Sequence, residues 1–303
     1  MSDTDFRSLT FDSSGTTCDG WFFAPRPGGP FERAAGHPAV VMAHGLGGTK
    51  DSGLAAFARA LRDAGLAVLV FDYRGFGSSA GQPRQRISLA GQRDDYRAAV
   101  ATAVREPGVD PDRIVLWGVS MSGGHVLRLA AELPMVCAVI ALVPLVSGPA
   151  AARHALAQVG VRELLAASGT ALRSSLAGRA GRAATMLPVV GRPGERAALT
   201  GPGHYESYLA VAGPTWRNEV DAALGVELAN YRVAAYAARI TVPVLVQIAD
   251  FDRAAPPHAA AKVAFAARAE VRHYPGDHFT LFAEYFDAAV AHQLGFLRRQ
   301  LAG

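Results

Sequence analysis

The sequence is poor in lysine. Only Lys50 and Lys262 are present, so nearly all of its 30 cationic side chains are arginine. The arginines are scattered and no basic run alternates with aromatics, which argues against nucleic-acid binding despite a formal charge of +4 and a pI near 9.3. Cysteine is scarce too. Cys18 and Cys137 lie far apart in apolar or strand-like contexts, which argues for buried free thiols over a bridge or a metal pair. No His has metal-ligand spacing to a Cys or carboxylate cluster. There is no long hydrophobic stretch: the longest, Met135 to Ser147, is too short to span a bilayer. The first residues, Met1-Ser-Asp-Thr-Asp-Phe-Arg, are polar and lack the apolar segment of a secretion signal. A cytoplasmic protein without membrane contact is the expectation. Neither G-x-x-x-x-G-K-[ST] nor G-x-G-x-x-G occurs in the glycine-rich stretch at 45–50, which argues against nucleotide binding there.

What is present is a core-building chain. Half of its 303 residues are hydrophobic and its mean hydropathy is slightly positive. This suits one large domain, or a core with a smaller cap. Residues 8–24 read as a hairpin around Ser13-Ser-Gly15, and 25–37 as a Pro/Gly loop. Short, wholly apolar strands follow at Pro38–Ala43, Ala67–Phe71, Ile114–Trp117 and Val136–Val143, with helical periodicity between them at 52–64, 88–105 and 126–133. Strands buried on both faces and alternating with helices predict an α/β fold with a doubly wound, mostly parallel sheet. The rhythm stops near residue 146 and resumes at Val242–Ile248, followed by a helix near 258–268, a strand at Glu270–Tyr274 and a last helix over 281–299. The intervening stretch is rich in Ala, Gly and Arg, with helical segments and no convincing strand pair. The expected organisation is therefore a core in two parts, 1–145 and 239–303, with a helical cap inserted over 146–238.

The chemistry centres on Ile114-Val-Leu-Trp-Gly-Val-Ser-Met-Ser-Gly-Gly-His125. A strand, a turn of small residues with a serine at its tip, and a helix form a nucleophile elbow. The spelling departs from G-x-S-x-G: it is Gly118-Val-Ser120-Met-Ser122, and a shifted frame would make Ser122 the nucleophile. Ser120 is preferred because it follows the strand directly. A nucleophilic serine needs a base, and the base needs a carboxylate to orient it, in the chain order Ser, Asp, His. Asp250 and Asp252 follow the strand at 242–248, and Asp252 lies further out, where it can turn toward the base. His278 stands in a Pro/Gly turn after the last strand; its rival, His273, lies inside that strand. The backbone N–H of Met121 and that of Leu46, in the loop His44-Gly-Leu46-Gly-Gly48, are the candidate oxyanion donors. His44 reads as holding that loop.

These elements, with Asp72-Tyr-Arg-Gly-Phe-Gly77, resemble the α/β-hydrolase superfamily over essentially the whole chain. The likeness is greatest to cytosolic bacterial members related to dienelactone hydrolase and acetyl xylan esterase, some of whose relatives serve polyketide pathways as thioesterases or acyl-transfer enzymes. The resemblance implies a serine esterase or thioesterase that needs no metal or organic cofactor. An acyltransferase using the same triad is the alternative; a non-catalytic ligand-binding protein is a weaker third, since all triad members are present. Apolar residues of the 146–238 stretch, namely Leu164, Leu165, Met186, Leu187, Tyr205, Tyr208, Leu209 and Trp216, suggest an apolar acyl group of moderate or large size. Residues 151–200 hold seven Arg against two Glu. An acyl carrier protein or a CoA thioester could dock there, although a solvated basic face is the plainer reading.

Overall fold

The computed structural model describes residues 5–301. The chain opens with the antiparallel pair β1 (Arg7–Ser13) and β2 (Thr16–Phe23), closed by Ser14 and Gly15 at φ 53° and 79°. Two successive positive φ values are what a two-residue type I′ turn demands. Then come β3 (His37–Ala43), α1 (Leu54–Asp63), β4 (Ala67–Phe71), α2 (Leu89–Ala103), β5 (Val109–Val119), α3 (Met121–Ala130) and β6 (Val136–Leu142). The next stretch carries α4 (Gly148–Val159), α5 (Val161–Arg179), β7 (Met186–Leu187), α6 (His204–Val211), β8 (Val220–Asp221), α7 (Leu224–Ala229) and α8 (Ala234–Ala237). The chain continues with β9 (Val244–Ala249), α9 (Pro257–Ala266), β10 (Glu270–Tyr274), a 3-10 turn at Thr280–Phe282 and α10 (Phe286–Leu301).

Eight strands form one sheet in the order β1-β2-β4-β3-β5-β6-β9-β10. β1–β2 and β2–β4 pair antiparallel, and all other neighbours pair parallel. Every residue of β3 and β4 is buried, as helices on both faces require. The period of two divides the strands cleanly. Val41, Leu69 and Leu116 belong to a core under α2, α3 and α9, while Val40, Val68 and Val115 face the other way, into a core under α1 and α10. Helix α1 buries Leu54, Phe57, Ala58 and Leu61, the face its periodicity predicts.

The 146–238 stretch adds helices and no strand to the large sheet. One detail differs from the sequence reading: β7 and β8 form a two-residue antiparallel pair within it. Polar ties fasten this stretch to the core. Asp51 Oδ2 accepts from Thr215 N–H at 3.0 Å and from its hydroxyl at 2.8 Å, and Tyr208 donates to Leu46 O at 2.8 Å.

Cys18 and Cys137 are both free, the first buried and the second half-buried; burial pushes their thiols up to about 12 and about 11. No helix among the described residues is long and apolar enough to cross a membrane.

Candidate active site

From β3 the sheet grows toward β4 on one side and β5 on the other. Ligands of doubly wound sheets bind where the strand order reverses, at the carboxyl ends of the strands. Two glycine-rich turns emerge there: His44–Gly48 from β3 and the Ser120 turn from β5.

Ser120 has φ 57° and ψ −118°, a conformation costly for a residue with a Cβ. The surroundings enforce it. Ser120 N–H donates to Leu142 O at 2.9 Å, and its carbonyl accepts from Leu145 N–H at 2.8 Å and Gly124 N–H at 3.2 Å. Small residues are obligatory around the turn. A Cβ on Gly118 would lie 2.3 Å from Ser122 O, and one on Gly124 would lie 2.2 Å from Leu145 O. Across the gap, a Cβ on Gly45 would come within 3.0 Å of the Ser120 Cβ, so the two turns nearly touch.

Ser122 is placed differently. Its hydroxyl accepts from Val119 N–H at 2.8 Å and donates to Ala43 O at 2.7 Å, and the residue is fully buried. It ties the end of β5 to the end of β3. Ser120 instead faces a cavity of about 50 Å³ that it shares with Gly45, Leu46 and His278.

His278 Nδ1 lies 2.7 Å from Asp252 Oδ2, both residues being buried. The other Asp252 oxygen accepts backbone N–H groups from Ala254 at 2.8 Å and Ala255 at 2.6 Å, which orients the carboxylate. Burial alone would depress the His278 imidazole; Asp252, with help from Asp277, more than offsets this and holds it above its usual value. Asp250 pairs with His273 at 2.6 Å on the exposed flank of the sheet, away from the cavity wall.

Met121 is the first residue of α3, so its N–H has no partner within the helix. The Leu46 N–H is aimed by its own peptide unit. Gly45 O is held by His44 Nδ1 at 3.0 Å and by Gly48 N–H at 3.3 Å. In a planar trans peptide the next N–H points the opposite way. Burial pushes His44 below its usual value, leaving a neutral ring; its Nε2, 3.5 Å from Tyr73 N–H, is then the acceptor and Nδ1 the donor.

The cavity wall is apolar but not in the way the sequence suggested. Of the eight apolar residues singled out in the 146–238 stretch, Tyr208 lines it. Leu165, Met186 and Leu209 are exposed, while Leu187, Tyr205 and Trp216 pack on the core. The other apolar walls include Leu54, Leu199, Val211, Phe279 and Phe282, which sequence periodicity did not single out as a group.

Sequence reasoning also missed a buried ion cluster beneath the site. Lys50 Nζ lies 2.6 Å from Asp72 and 2.7 Å from Asp19, and stands over the Trp21 ring. Asp72 also accepts the Lys50 N–H at 2.6 Å and the Ser78 N–H at 3.0 Å, joining the 44–50 turn to the 72–78 turn. Burial works against the Lys50 charge, and the two carboxylates more than restore it. Among the described residues no three His, Cys, Asp or Glu side chains gather as metal ligands would.

The family model described as serine aminopeptidase, S33, matches residues 35–284. The chain belongs to this family of α/β-hydrolases. A quorum-quenching protein, AidA of Acinetobacter baumannii, is 35% identical over 96% of this chain and 94% of its own length. The thiohydrolase aneE of Aspergillus aculeatus is 32% identical over 53% of this chain and 50% of its own. Among solved structures, the α/β-hydrolase GrgF of Penicillium sp. sh18 superposes with a TM-score of 0.79 over 98% of this chain and 99% of its own, at 21% identity. DcsB bound to a substrate analogue gives a TM-score of 0.81 at 24% identity, over 98% of this chain and 100% of its own. The hydrolase is thus a serine hydrolase by family, with an eight-stranded α/β-hydrolase sheet.

Proposed function

We propose that the hydrolase cleaves a carboxylic ester or thioester through an acyl-enzyme on Ser120. The observation that carries this reading is the convergence of Ser120, His278 and the two glycine-rich turns on one cavity, with Asp252 bonded to His278 behind it. His278 Nε2 takes the Ser120 proton as Oγ attacks the acyl carbonyl. The Leu46 and Met121 amides hold the oxyanion, and one such donor is worth about 3–4 kcal/mol of barrier. Asp252 keeps the proton on Nδ1 and stabilises the imidazolium. His278 then protonates the departing alkoxide or thiolate, and water attacking the acyl-enzyme, deprotonated by His278, releases the acid and regenerates Ser120.

The mostly apolar wall of the cavity favours an apolar acyl group. We take the 146–238 stretch to be the cap, with Tyr208 and Val211 of α6 closing the acyl pocket.

Acyl transfer to an alcohol or amine uses the same intermediate. Relatives named as polyketide transferases favour it as the second reading, among them grgF of Penicillium, 33% identical over 48% of this chain and 45% of its own length. The quorum-quenching name of a near-full-length relative adds small signalling molecules to the substrates worth testing. The seven arginines of 151–200 are all exposed, where the phosphates of a CoA thioester or an acidic carrier can meet them.

The deciding experiment compares wild type and Ser120→Ala on p-nitrophenyl esters and acyl thioesters of increasing chain length, by stopped flow, with and without added nucleophiles. A burst that disappears in Ser120→Ala supports the reading, and the chain-length profile sizes the acyl pocket. Undiminished activity in Ser120→Ala sinks it.

A further inference from the structure

Asp277 joins three parts of the site. Its Oδ1 accepts the backbone N–H of His278 at 2.8 Å and that of Arg253 at 2.9 Å. Its Oδ2 faces Arg253 Nε at 2.7 Å and Nη2 at 2.5 Å. His204, the first residue of α6, brings Nε2 to 3.3 Å from the same oxygen, and Arg253 also donates to Pro202 O at 2.8 Å. One carboxylate thus ties the loop of His278, the loop of Asp252 and the start of the helix that carries Tyr208 and Val211 into the cavity wall. Neither His204 nitrogen makes a hydrogen bond, although the residue is buried, so Asp277 Oδ2 is the polar group facing its Nε2.

We propose that Asp277 is a positioning residue for the base: it locks the loops of His278 and Asp252 and the start of α6 into one unit, and its negative charge helps set the pH at which His278 becomes available. This rests on the reading of His278 as the base. The groups around His278 leave few other sources of charge. Asp252 faces it from the β9–α9 loop, neutral His44 and Ser120 share its cavity from the β3 and β5 turns, and from α6 come Tyr208 and, across the Phe279 ring, His204. Arg253 is bound to Asp277. Asp277 remains ionised well below the usual carboxylate range. Burial opposes this, but His204, the two backbone N–H groups and the Arg253 guanidinium outweigh it.

The test is kcat and KM on p-nitrophenyl acetate from about pH 5 to 9, for wild type, Asp277→Asn, Asp277→Glu and His204→Phe, with Ser120→Ala as the blank. The base must be neutral to act, so activity rises through the His278 pKa. Asp277→Asn removes negative charge beside it, so the acid limb of kcat/KM moves to lower pH. The plateau kcat falls about ten- to hundredfold as the loop loosens. Asp277→Glu keeps the charge and therefore the midpoint, at reduced kcat. His204→Phe keeps a ring against Phe279 but loses the tie to α6, so kcat falls with the midpoint unmoved. If Asp277→Asn does not fold, Asp277→Glu and Arg253→Lys serve in its place: both must lower kcat without moving the midpoint, and a moved midpoint overturns the proposal. An unchanged midpoint in folded Asp277→Asn, with Ser120→Ala inactive, overturns the role of Asp277 alone. Activity that survives in Ser120→Ala instead removes the triad reading beneath it.

Discussion

Asp252 Oδ2 stands 2.7 Å from His278 Nδ1 in the interior, whereas Asp250, on the same loop, reaches the exposed His273 at 2.6 Å. Two carboxylates two residues apart therefore meet two different histidines. Only one pair borders the cavity. Asp252→Asn is expected to lower kcat about ten-thousandfold near neutral pH, because the amide favours the wrong imidazole tautomer. Asp250→Asn is expected to stay within about twofold, as an exposed pair contributes little. Steady-state ester hydrolysis by both variants checks this, and equal losses would refute the assignment.

Ser122 supplies the complementary test at the elbow. Removing its hydroxyl leaves Val119 N–H without the partner it has now, beside a buried carbonyl, at a cost of about 1–3 kcal/mol. Ser122→Ala should melt several degrees lower yet still form an acyl-enzyme. Mass spectrometry after a fluorophosphonate probe should place the label on Ser120 in both wild type and variant. A label lost in Ser122→Ala and retained in Ser120→Ala would reverse the roles.

Lys50 is expected to matter for stability more than any exposed arginine. Lys50→Met leaves the buried Asp72 carboxyl without its cationic partner, which typically costs about 3–5 kcal/mol. Asp72→Asn in the same chain removes the stranded carboxyl and should recover part of that loss. Denaturant titration of the single and double variants measures the coupling; additive losses would show that the pair acts independently.

Much of the fold could be read locally, because buried parallel strands are continuous apolar runs and helix α1 shows its buried face in its spacing. The order Ser120, Asp252, His278 could be read for the same reason: each follows a recognisable strand. What stayed hidden depends on contacts between distant residues. Nothing near Ser122 announces that its hydroxyl bonds to Ala43 O, 79 positions away. Lys50, Asp72 and Asp19 converge only once β2, β3 and β4 are paired, and a lone lysine in a glycine turn reads as solvent-exposed. The cavity wall was misjudged because apolar residues on short helices show no direction: Leu209 points outward while Val211, two residues on, enters the wall. Asp277 had one signal available, its position immediately before His278.

The last expectation concerns acid stability and His125. Its ring is fully buried beneath the elbow helix, with Nε2 3.0 Å from Gln92 Oε1 and Nδ1 3.3 Å from the Tyr231 hydroxyl. Burial, then the charges of Arg93 and Arg128, push it from 6.5 down to about 3. In the unfolded chain the same imidazole protonates near its ordinary value, so between these two pH values the unfolded state binds the extra proton. Stability is therefore lost as pH falls through this window, at up to about 1.4 kcal/mol per pH unit. A His125→Gln variant has no such proton to take up. Urea unfolding of both proteins at pH 7 and pH 4.5 should show the wild-type advantage shrinking by about 3 kcal/mol at the lower pH. A gap that stays constant would mean that His125 is already solvated in the folded protein, and that the polar contacts beneath the elbow helix are looser than their distances indicate.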